Sequence, residues 1–281
     1  MFIQLITKQL PGTAYYSQGF SIFAVTKMIL MKRILLILTA AALSSCVLLN
    51  MNYQIGNGVS AETTLEIGEF DSISSCCSLD LIYTQKEGAQ SVVLTCDENL
   101  VEYYDIRVED GTLIIDTKRG TSINTKVKSY LTVTSPRLDY LKLSGSGDCD
   151  ITSAITTDGD LSFKVSGSGD IDADGSVICK NFYSSVSGSG NIDVVGVQAH
   201  VADFKDSGSG DIEVDSITAE DITIKMSGSG DIALICKEAG YINASLSGSG
   251  DLILTGSARS VKSNSTGSGN VRSGNLTIIR Q

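Results

Sequence analysis

The chain has 281 residues, of which 42% are hydrophobic and 28 are glycine, enough apolar sequence for one large domain or two small ones. This composition excludes an intrinsically disordered tail. The formal net charge of −11 argues against nucleic acid as a partner, because binding to phosphates needs a basic surface.

Residues 31–46, MKRILLILTAAALSSC, have the order of a bacterial export signal. Lys32 and Arg33 precede a mainly apolar core of nine residues, which is too short to cross a bilayer as a helix. The ending LSSC resembles the lipobox of lipoprotein signal peptides. The resemblance implies that Cys46 is diacylated and becomes the mature N-terminus, and two acyl chains give stable membrane anchoring.

The position of this signal leads to predictions about the segments on either side of it. Residues 1–30 lack signal-peptide order and Met31 directly precedes the basic pair, so we predict that 1–30 is a mis-called extension. The common sorting rule retains lipoproteins with Asp after the lipidated Cys at the inner membrane. Val47 stands there, which favours the outer membrane and leaves the periplasmic or surface side open. Residues 47–61 are predicted to be a tether.

Residues 62–143 alternate apolar and polar side chains, the period of strands with one buried face. Asp110-Gly111 suits a type I′ hairpin turn, and Asp97 is predicted to cap one short helical turn. We predict that this region starts a stack of coils and covers its first rung. The predicted strands are 78–84, 91–96, 103–110, 111–118 and 129–136.

A pentapeptide recurs seven times in residues 144–281, at starts 19 to 22 residues apart. Gly/Ser runs are typical of flexible linkers, and glycine-rich loops also bind phosphate. The phosphate alternative fails because no GxGxxG precedes a helix and no GK[ST] occurs, and the period of about 20 excludes the calcium-binding nonapeptide repeat. The copies are SGSGD at Ser144, Ser166, Ser207, Ser227 and Ser247, SGSGN at Ser187, and TGSGN at Thr266.

The residues between the copies decide in favour of strands. With the first Ser or Thr as position zero, apolar residues recur with one parity, and each unit is too short to bury its own face. Like positions must then stack about 4.8 Å apart, so seven coils rise roughly 34 Å. This predicts an all-β fold, a parallel β-helix of about 20-residue coils. Position minus one holds Val165, Val186, Asp206, Met226, Leu246 and Ser265, and position five includes the expected internal ladder of Ile171, Ile192, Ile212 and Ile232.

The glycines at positions one and three fall on the inward parity. There the backbone must turn or approach the axis closely, and glycine permits both. The pentapeptide is therefore predicted to be a corner of the solenoid, with outward serines that stack as hydrogen-bonded ladders. The predicted corner glycines are Gly145, Gly147, Gly167, Gly169, Gly188, Gly190, Gly208, Gly210, Gly228, Gly230, Gly248, Gly250, Gly267 and Gly269.

Acidic side chains recur at two outward positions of the repeat, and in the first four coils they should form two parallel columns. Position four holds Asp148, Asp170, Asn191, Asp211, Asp231, Asp251 and Asn270, and position six begins with Asp150, Asp172, Asp193 and Glu213. We interpret each position-four Asp as an acceptor for backbone N–H groups of its own corner, as in Asx turns. The sharper hypothesis is a weak Ca²⁺ site formed by Asp148, Asp150, Asp170 and Asp172.

The six cysteines after Cys46 contain no CxxC pair, and His200 is the only histidine, so a zinc site is not predicted. Cys149 and Cys179 occupy positions that other repeats fill with Ile, Leu or Ala, which indicates small buried side chains. The sequence leaves open whether a disulfide forms. His200 stands in a strand-like stretch, where an exposed residue is a better interpretation than a catalytic base.

The segments GEFDSISSCCSLDLIYTQ and DENLVEYYDIRVEDGTLIID, together with the SGSGD series, resemble the "putative auto-transporter adhesin, head GIN domain" family over about residues 62–281. The resemblance implies a right-handed parallel β-helix in a lipoprotein or secreted setting. It supplies no catalytic residues and no cofactor. The ending GNLTIIRQ departs from the family in being short, and we expect it to lack a terminal cap.

Two function hypotheses follow. The first is a non-enzymatic envelope lipoprotein, adhesin-like or a scaffold, with an unknown glycan or protein ligand. The second is a carbohydrate-active β-helix enzyme, which would need two carboxylates facing one groove. No cofactor and no catalytic residues are predicted. The final strand, 276–281, is predicted to leave an apolar edge that self-associates or is covered by a cap.

Overall fold

A computed structural model describes residues 52–279. The predicted signal peptide, Cys46 and the extension before them lie outside the described residues. Within the described part, no helix has the length and apolarity needed to cross a membrane.

The N-terminal region consists of short strands and one 3-10 helix, Glu98–Tyr103. All five strands predicted there are confirmed to within two residues at each end. The strands are β1 (Asn52–Ile55), β2 (Ser60–Thr64), β3 (Ser72–Ser75), β4 (Asp80–Gln85), β5 (Ser91–Asp97), β6 (Tyr104–Glu109), β7 (Thr112–Thr117), β8 (Thr121–Asn124) and β9 (Tyr130–Ser135).

The stack does not begin in chain order. Strands β3 and β4 form one coil, and a second coil of β7 and β9 lies parallel to it on its outer side. Beyond that second coil, β6 pairs antiparallel with β7, β5 with β9, and β2 with β5. The N-terminal region therefore both starts the parallel stack and covers its first rung.

The predicted hairpin turn is confirmed at Asp110-Gly111. Both residues have positive φ, 48° and 74°, as a type I′ turn requires, and Glu109 pairs with Thr112 across it. The turn reverses the chain tightly, so that β6 covers the outer edge of β7.

The segment predicted as a tether is partly strand, which corrects that prediction. Strand β1 pairs in parallel with β8, and β2 begins at Ser60 and adds to β5. The physical reason is that β5 would otherwise be an open edge, and a further strand satisfies its backbone groups.

Asp97 precedes the predicted helical turn but does not cap it, since its side chain makes no capping hydrogen bond. The carboxylate is fully buried and accepts hydrogen bonds from the backbone N–H groups of Gly58 (2.6 Å), Lys126 (2.8 Å) and Val127 (3.2 Å). Burial opposes the charged form, but these bonds hold the pKa of Asp97 below its usual range. Asp97 therefore ties two N-terminal loops together.

The repeat region continues the stack with thirteen strands, all parallel to their neighbours in the next coil. The parallel β-helix is thus confirmed. The strands are β10 (Tyr140–Leu143), β11 (Cys149–Ile151), β12 (Ile155–Thr156), β13 (Asp160–Val165), β14 (Ile171–Ile178), β15 (Asn181–Val186), β16 (Ile192–Gln198), β17 (Val201–Asp206), β18 (Ile212–Thr218), β19 (Asp221–Met226), β20 (Ile232–Leu246), β21 (Leu252–Ser265) and β22 (Val271–Ile278).

Columns of identical or similar side chains fill the interior. The ladder from Ile171 to Ile232 forms in register, and all four side chains are buried. Phe163, Phe182 and Phe204 pack edge to face, with ring centroids 5.5 and 6.0 Å apart. Full burial of such a side chain contributes about 1.5–3 kcal/mol, so the columns stabilise coils that could not fold singly.

The unequal spacing of the pentapeptides is absorbed away from the corners. Register shifts interrupt the pairing between Ala173 and Ser176, where the offset between coils changes from 21 to 20, and between Cys236 and Ala239, where it changes from 20 to 19. These irregularities keep the corners of successive coils aligned although the coils differ in length.

The last coil differs from those before it because serines occupy inward positions. Ser263 and Ser265 are exposed, whereas Ala244 and Leu246 of the preceding coil are buried. Among the described strands, β22 pairs only with β21. Its outer edge therefore presents backbone groups available for pairing.

We expect self-association through β22, where Ile278 is 48% exposed. Ile278→Lys should shift the protein towards monomer in light scattering, because a charged edge residue opposes strand pairing. Ile178→Lys, at an isoleucine that is 43% exposed on β14, is the matched control and should leave association unchanged. A monomeric wild type, unaffected by Ile278→Lys, would contradict the prediction.

Candidate functional site

The pentapeptide corners are places of close backbone approach. A Cβ atom at Gly167 would collide with the carbonyl oxygen of Gly145, and one at Gly169 with that of Gly147. The same holds for every corner glycine, each against the preceding coil, and none of the fourteen has positive φ. Glycine is therefore required by stacking distance and not by backbone conformation.

The corner serines point outward, but the expected ladder of hydroxyl bonds is largely wrong. Among these serines, only Ser166 and Ser144 share a hydroxyl bond, at 3.2 Å, in the described structure. Backbone bonds join the corners instead, for example from the Ser189 N–H to the Gly167 carbonyl (2.9 Å). The hydroxyls of Ser166 and Ser247 also donate to carbonyl oxygens of the preceding coil at 3.5 Å, and most of the other serine hydroxyls face solvent.

The position-four side chains form what we call the Asx ladder, which runs between coils. The Asn191 N–H donates to Asp170 Oδ1 (2.6 Å), and the Asp211 N–H donates to Asn191 Oδ1 (2.8 Å). The pattern continues to Asn270 and starts one coil early, at Asp80, which accepts the Asp148 N–H (3.3 Å). The prediction of backbone donors was right, but the donor belongs to the next coil and not to the residue's own corner.

The ladder predicts different outcomes for two substitutions at one position. Asp170→Ala removes the acceptor for the Asn191 N–H and should cost about 1 kcal/mol. Asp170→Asn keeps an acceptor oxygen and should stay within about 0.5 kcal/mol of wild type. Urea denaturation of both variants checks this, and equal losses would show that the Asx ladder does not stabilise the stack.

The position-six carboxylates form a second, denser charge column, the acidic column of Asp150, Asp172, Asp193 and Glu213. A groove of about 250 Å³ lies along its middle, with Asp174 and Asp215 at its sides. Burial, and then the neighbouring carboxylates, raise the pKa of Asp193 to about 6 and raise that of Asp172. Part of the groove is therefore protonated in mildly acidic solution.

The hypothesis of a calcium site is not supported. In residues 52–279, no group of three or more His, Cys, Asp or Glu side chains is arranged to hold a metal ion, and this includes Asp148, Asp150, Asp170 and Asp172. The reason lies in the Asx ladder, because Asp148 and Asp170 each direct an oxygen towards a backbone N–H.

A basic column, which the sequence analysis missed, lies on the strands that precede the corners. Lys142 pairs with Lys164, Ser185 follows, and Lys205 and Lys225 complete the column. None of the four lysines forms a salt bridge in the described structure. We call these four residues the lysine column. The signal was available in the sequence as a lysine two residues before four of the pentapeptides.

Asp206 is an inward carboxyl in the apolar position just before a corner. Its side chain is fully buried, Oδ1 accepts the Gly208 N–H (2.9 Å), and Oδ2 has no hydrogen-bond partner. Burial raises the pKa of Asp206 although the Gly208 bond opposes the shift. Most other coils hold Val, Met or Leu here, and the last holds Ser265, so Asp206 is a local cost to stability.

The remaining candidates provide no constellation for catalysis. His200 is exposed, with Nδ1 3.2 Å from a carboxylate oxygen of Glu220. Cys149 and Cys179 are buried as predicted, and all six cysteines of the described region are free thiols. A cavity of about 740 Å³ in the N-terminal region has Glu69 and Asp71 as its only ionisable lining residues.

Solved structures share this architecture. A putative adhesin from Bacteroides fragilis is 25% identical, with a TM-score of 0.72 over 78% of this chain and 99% of its own. A putative lipid binding protein from Parabacteroides distasonis is 25% identical, with a TM-score of 0.59 over 79% of this chain and 99% of its own. A putative adhesin from the same species is 24% identical, with a TM-score of 0.68 and the same coverage. No curated protein is significantly similar to the chain.

The sequence also matches a family model, over residues 69–258 and again over 206–279. The two matches span more than half of the chain and include both the N-terminal coils and the pentapeptide corners. The chain therefore belongs to the family described as "Putative auto-transporter adhesin, head GIN domain".

Proposed function

We propose that this protein is a non-enzymatic, adhesin-type binding module of the cell envelope. The observation that carries the proposal is the in-register repetition of outward side chains on a stack of coils. Such a surface offers the same weak contact several times at fixed spacing. Repeated contacts on one scaffold raise the overall affinity without requiring a deep pocket.

Family membership and the neighbouring structures support this proposal. The family is that of a putative adhesin domain, and the two neighbours that are 25% identical are a putative adhesin and a putative lipid binding protein. Two cavities add support, because the cavity of about 740 Å³ has only two carboxylates among its ionisable lining residues and the groove of about 250 Å³ lies along the acidic column. Neither cavity combines an acid, a base and a nucleophile within reach of one another.

The proposal also includes the attachment of the module to the membrane. We propose that Cys46 carries the lipid anchor and that the β-helix stands at the outer membrane. The sequence pattern of residues 31–46 supports it. Labelling of cells with a fatty-acid analogue should mark the wild type and not the Cys46→Ala variant. Equal labelling of both would contradict the anchor.

Exposure on the cell surface tests the adhesin role. Protease added to intact cells should remove the β-helix, whereas a periplasmic protein of the same strain, used as a control, should survive. Protection of the β-helix under these conditions would exclude adhesion to other cells or surfaces.

The raised pKa of Asp193 favours a second candidate, a carbohydrate-active hydrolase. A carboxyl with a pKa of about 6 beside an ionised one is the arrangement that acid-assisted glycoside cleavage uses. Burial and, after it, repulsion along the acidic column raise the pKa of Asp193 without any catalytic role, which is why this function ranks second. Shortening of a polysaccharide by wild type and not by Asp193→Asn would establish it and overturn the binding-only proposal.

A further inference from the structure

We infer that the lysine column and the hydroxyl groups beside it form a binding site for a linear acidic polysaccharide. The inference rests on the proposed binding function and names the class of ligand. It starts from geometry, because Lys142 to Lys225 occupy five successive coils. At the spacing of neighbouring strands, this column is about 19 Å long.

The charges of the column lack counter-charges within the described structure. Lys205 and Lys225 are exposed, and Lys142 and Lys164 are half-buried. No carboxylate lies within salt-bridge distance of these four lysines. In a protein with a net charge of −11, a line of unpaired cations fits an anionic ligand supplied from outside.

The surroundings of the column favour a sugar polymer. On its corner side are the exposed serines Ser166, Ser187, Ser207 and Ser227. On its other side one column of side chains runs in register, and it consists of hydroxyl-bearing residues with a single carboxylate: Tyr140, Ser162, Tyr183, Asp203 and Thr223. Tyrosine presents an apolar ring and a polar tip, and serine donates and accepts hydrogen bonds. Together these groups suit a chain of rings that carries hydroxyl groups and anionic substituents.

A groove extends the same surface towards the C-terminus. Its volume is about 260 Å³, and Lys225, which ends the column, lies in its lining. Lys262 adds a further cation there, and Thr223, Asn243, Ser245 and Asn264 supply hydrogen-bonding groups. The site therefore continues past the end of the lysine column, where Ser245 takes the position after Lys225.

Charge distribution distinguishes a thin polymer from a membrane or a duplex. A polymer along the column interacts with the lysines at short range, while salt screens charges beyond about 8 Å. A flat anionic membrane or a nucleic acid would extend over more of a protein whose net charge is −11, and would be repelled by carboxylates beyond the column. The linear polysaccharide is therefore the partner that the surface favours.

Isothermal titration of the full chain with polygalacturonate and with dextran sulfate tests the inference. Wild type should bind at least one of them, with affinity that falls as salt rises, and should not bind fully methyl-esterified polygalacturonate, which lacks the charge. Lys164→Gln/Lys205→Gln should weaken binding about tenfold, a change equivalent to 1.4 kcal/mol. The control Lys118→Gln/Lys237→Gln, at exposed lysines outside the column, should bind as wild type does.

Three results would overturn the inference: no binding to either acidic polymer, equal binding by both double variants, or tighter binding to anionic lipid vesicles or duplex DNA. Circular dichroism of each variant shows whether the fold is retained. Failure here leaves the adhesin role intact if cells still adhere through the protein. Shortening of the bound polymer would instead overturn the non-enzymatic function, even where the lysines bind as expected.

Discussion

Gly190→Ala is expected to destabilise the β-helix by about 4 kcal/mol or more, a large effect for a single added methyl group. The added Cβ would collide with the carbonyl oxygen of Gly169, which is backbone and cannot rotate away. The coils would have to separate at this corner, and every in-register column crosses that gap. Chemical denaturation followed by circular dichroism measures the loss.

Gly196→Ala is the matched control, because a Cβ there would find no atom closer than 3.8 Å and φ is not positive. Its stability should stay within about 0.5 kcal/mol of wild type, with a small gain where the alanine restricts the unfolded chain. If both variants unfold at the wild-type midpoint, the corners are not closely stacked and the structural role of the pentapeptide is wrong.

Asp206→Val is expected to stabilise the protein by about 1–4 kcal/mol at neutral pH. The substitution replaces a buried carboxyl that has an unpaired oxygen with the residue that Val186 already provides one coil earlier. Thermal unfolding should shift upward by roughly 2–4 °C for each kcal/mol in a domain of this size. Asp203→Val, an outward position of the same strand, is the control and should change stability much less.

The effect of Asp206→Val should depend on pH in one direction. Because the folded pKa of Asp206 is raised, the native state binds its proton more tightly than the unfolded state, whose pKa is about 3.9. The contribution of Asp206 to the stability of the wild type is therefore lost as the pH rises from about 3.9, the unfolded pKa, through the raised pKa of the folded state. The gain from the variant should be smallest near pH 3.5 and largest at neutral pH. A gain in stability that is independent of pH would contradict the claim that Asp206 is buried with a raised pKa.

Much of the fold could be predicted because a period of two fixes which side chains point inward. The ladder from Ile171 to Ile232, the hairpin at Asp110-Gly111 and the strands of the N-terminal region follow from local sequence. The order of the first coils could not be predicted, because parity does not tell which strand lies beside which. The pairing of β3 with both β7 and β10 is decided by tertiary packing.

The candidate site was predicted less completely. The alternation of inward and outward positions predicted that the side chains of the Asx ladder lie outside. It could not predict whether the backbone N–H that donates to each side chain belongs to the same corner or to the next coil, because that depends on the offset between coils. Asp97 was interpreted from its position before a helical turn, whereas its real donors lie in loops distant in sequence, at Gly58 and Lys126. The lysine column was visible at fixed spacing in the sequence, and it became a surface only when stacking brought its members together.

Adhesion measured with and without this protein tests the central claim most directly. Cells that lack the chain, and the same cells complemented with wild type, would be compared for attachment to a surface coated with acidic polysaccharide. The binding-module account predicts that attachment falls when the chain is removed and returns with wild type, while the coating polymer keeps its length. Attachment to this and to other coated surfaces that is unchanged by removal, or a coating that is degraded only when the chain is present, would contradict it.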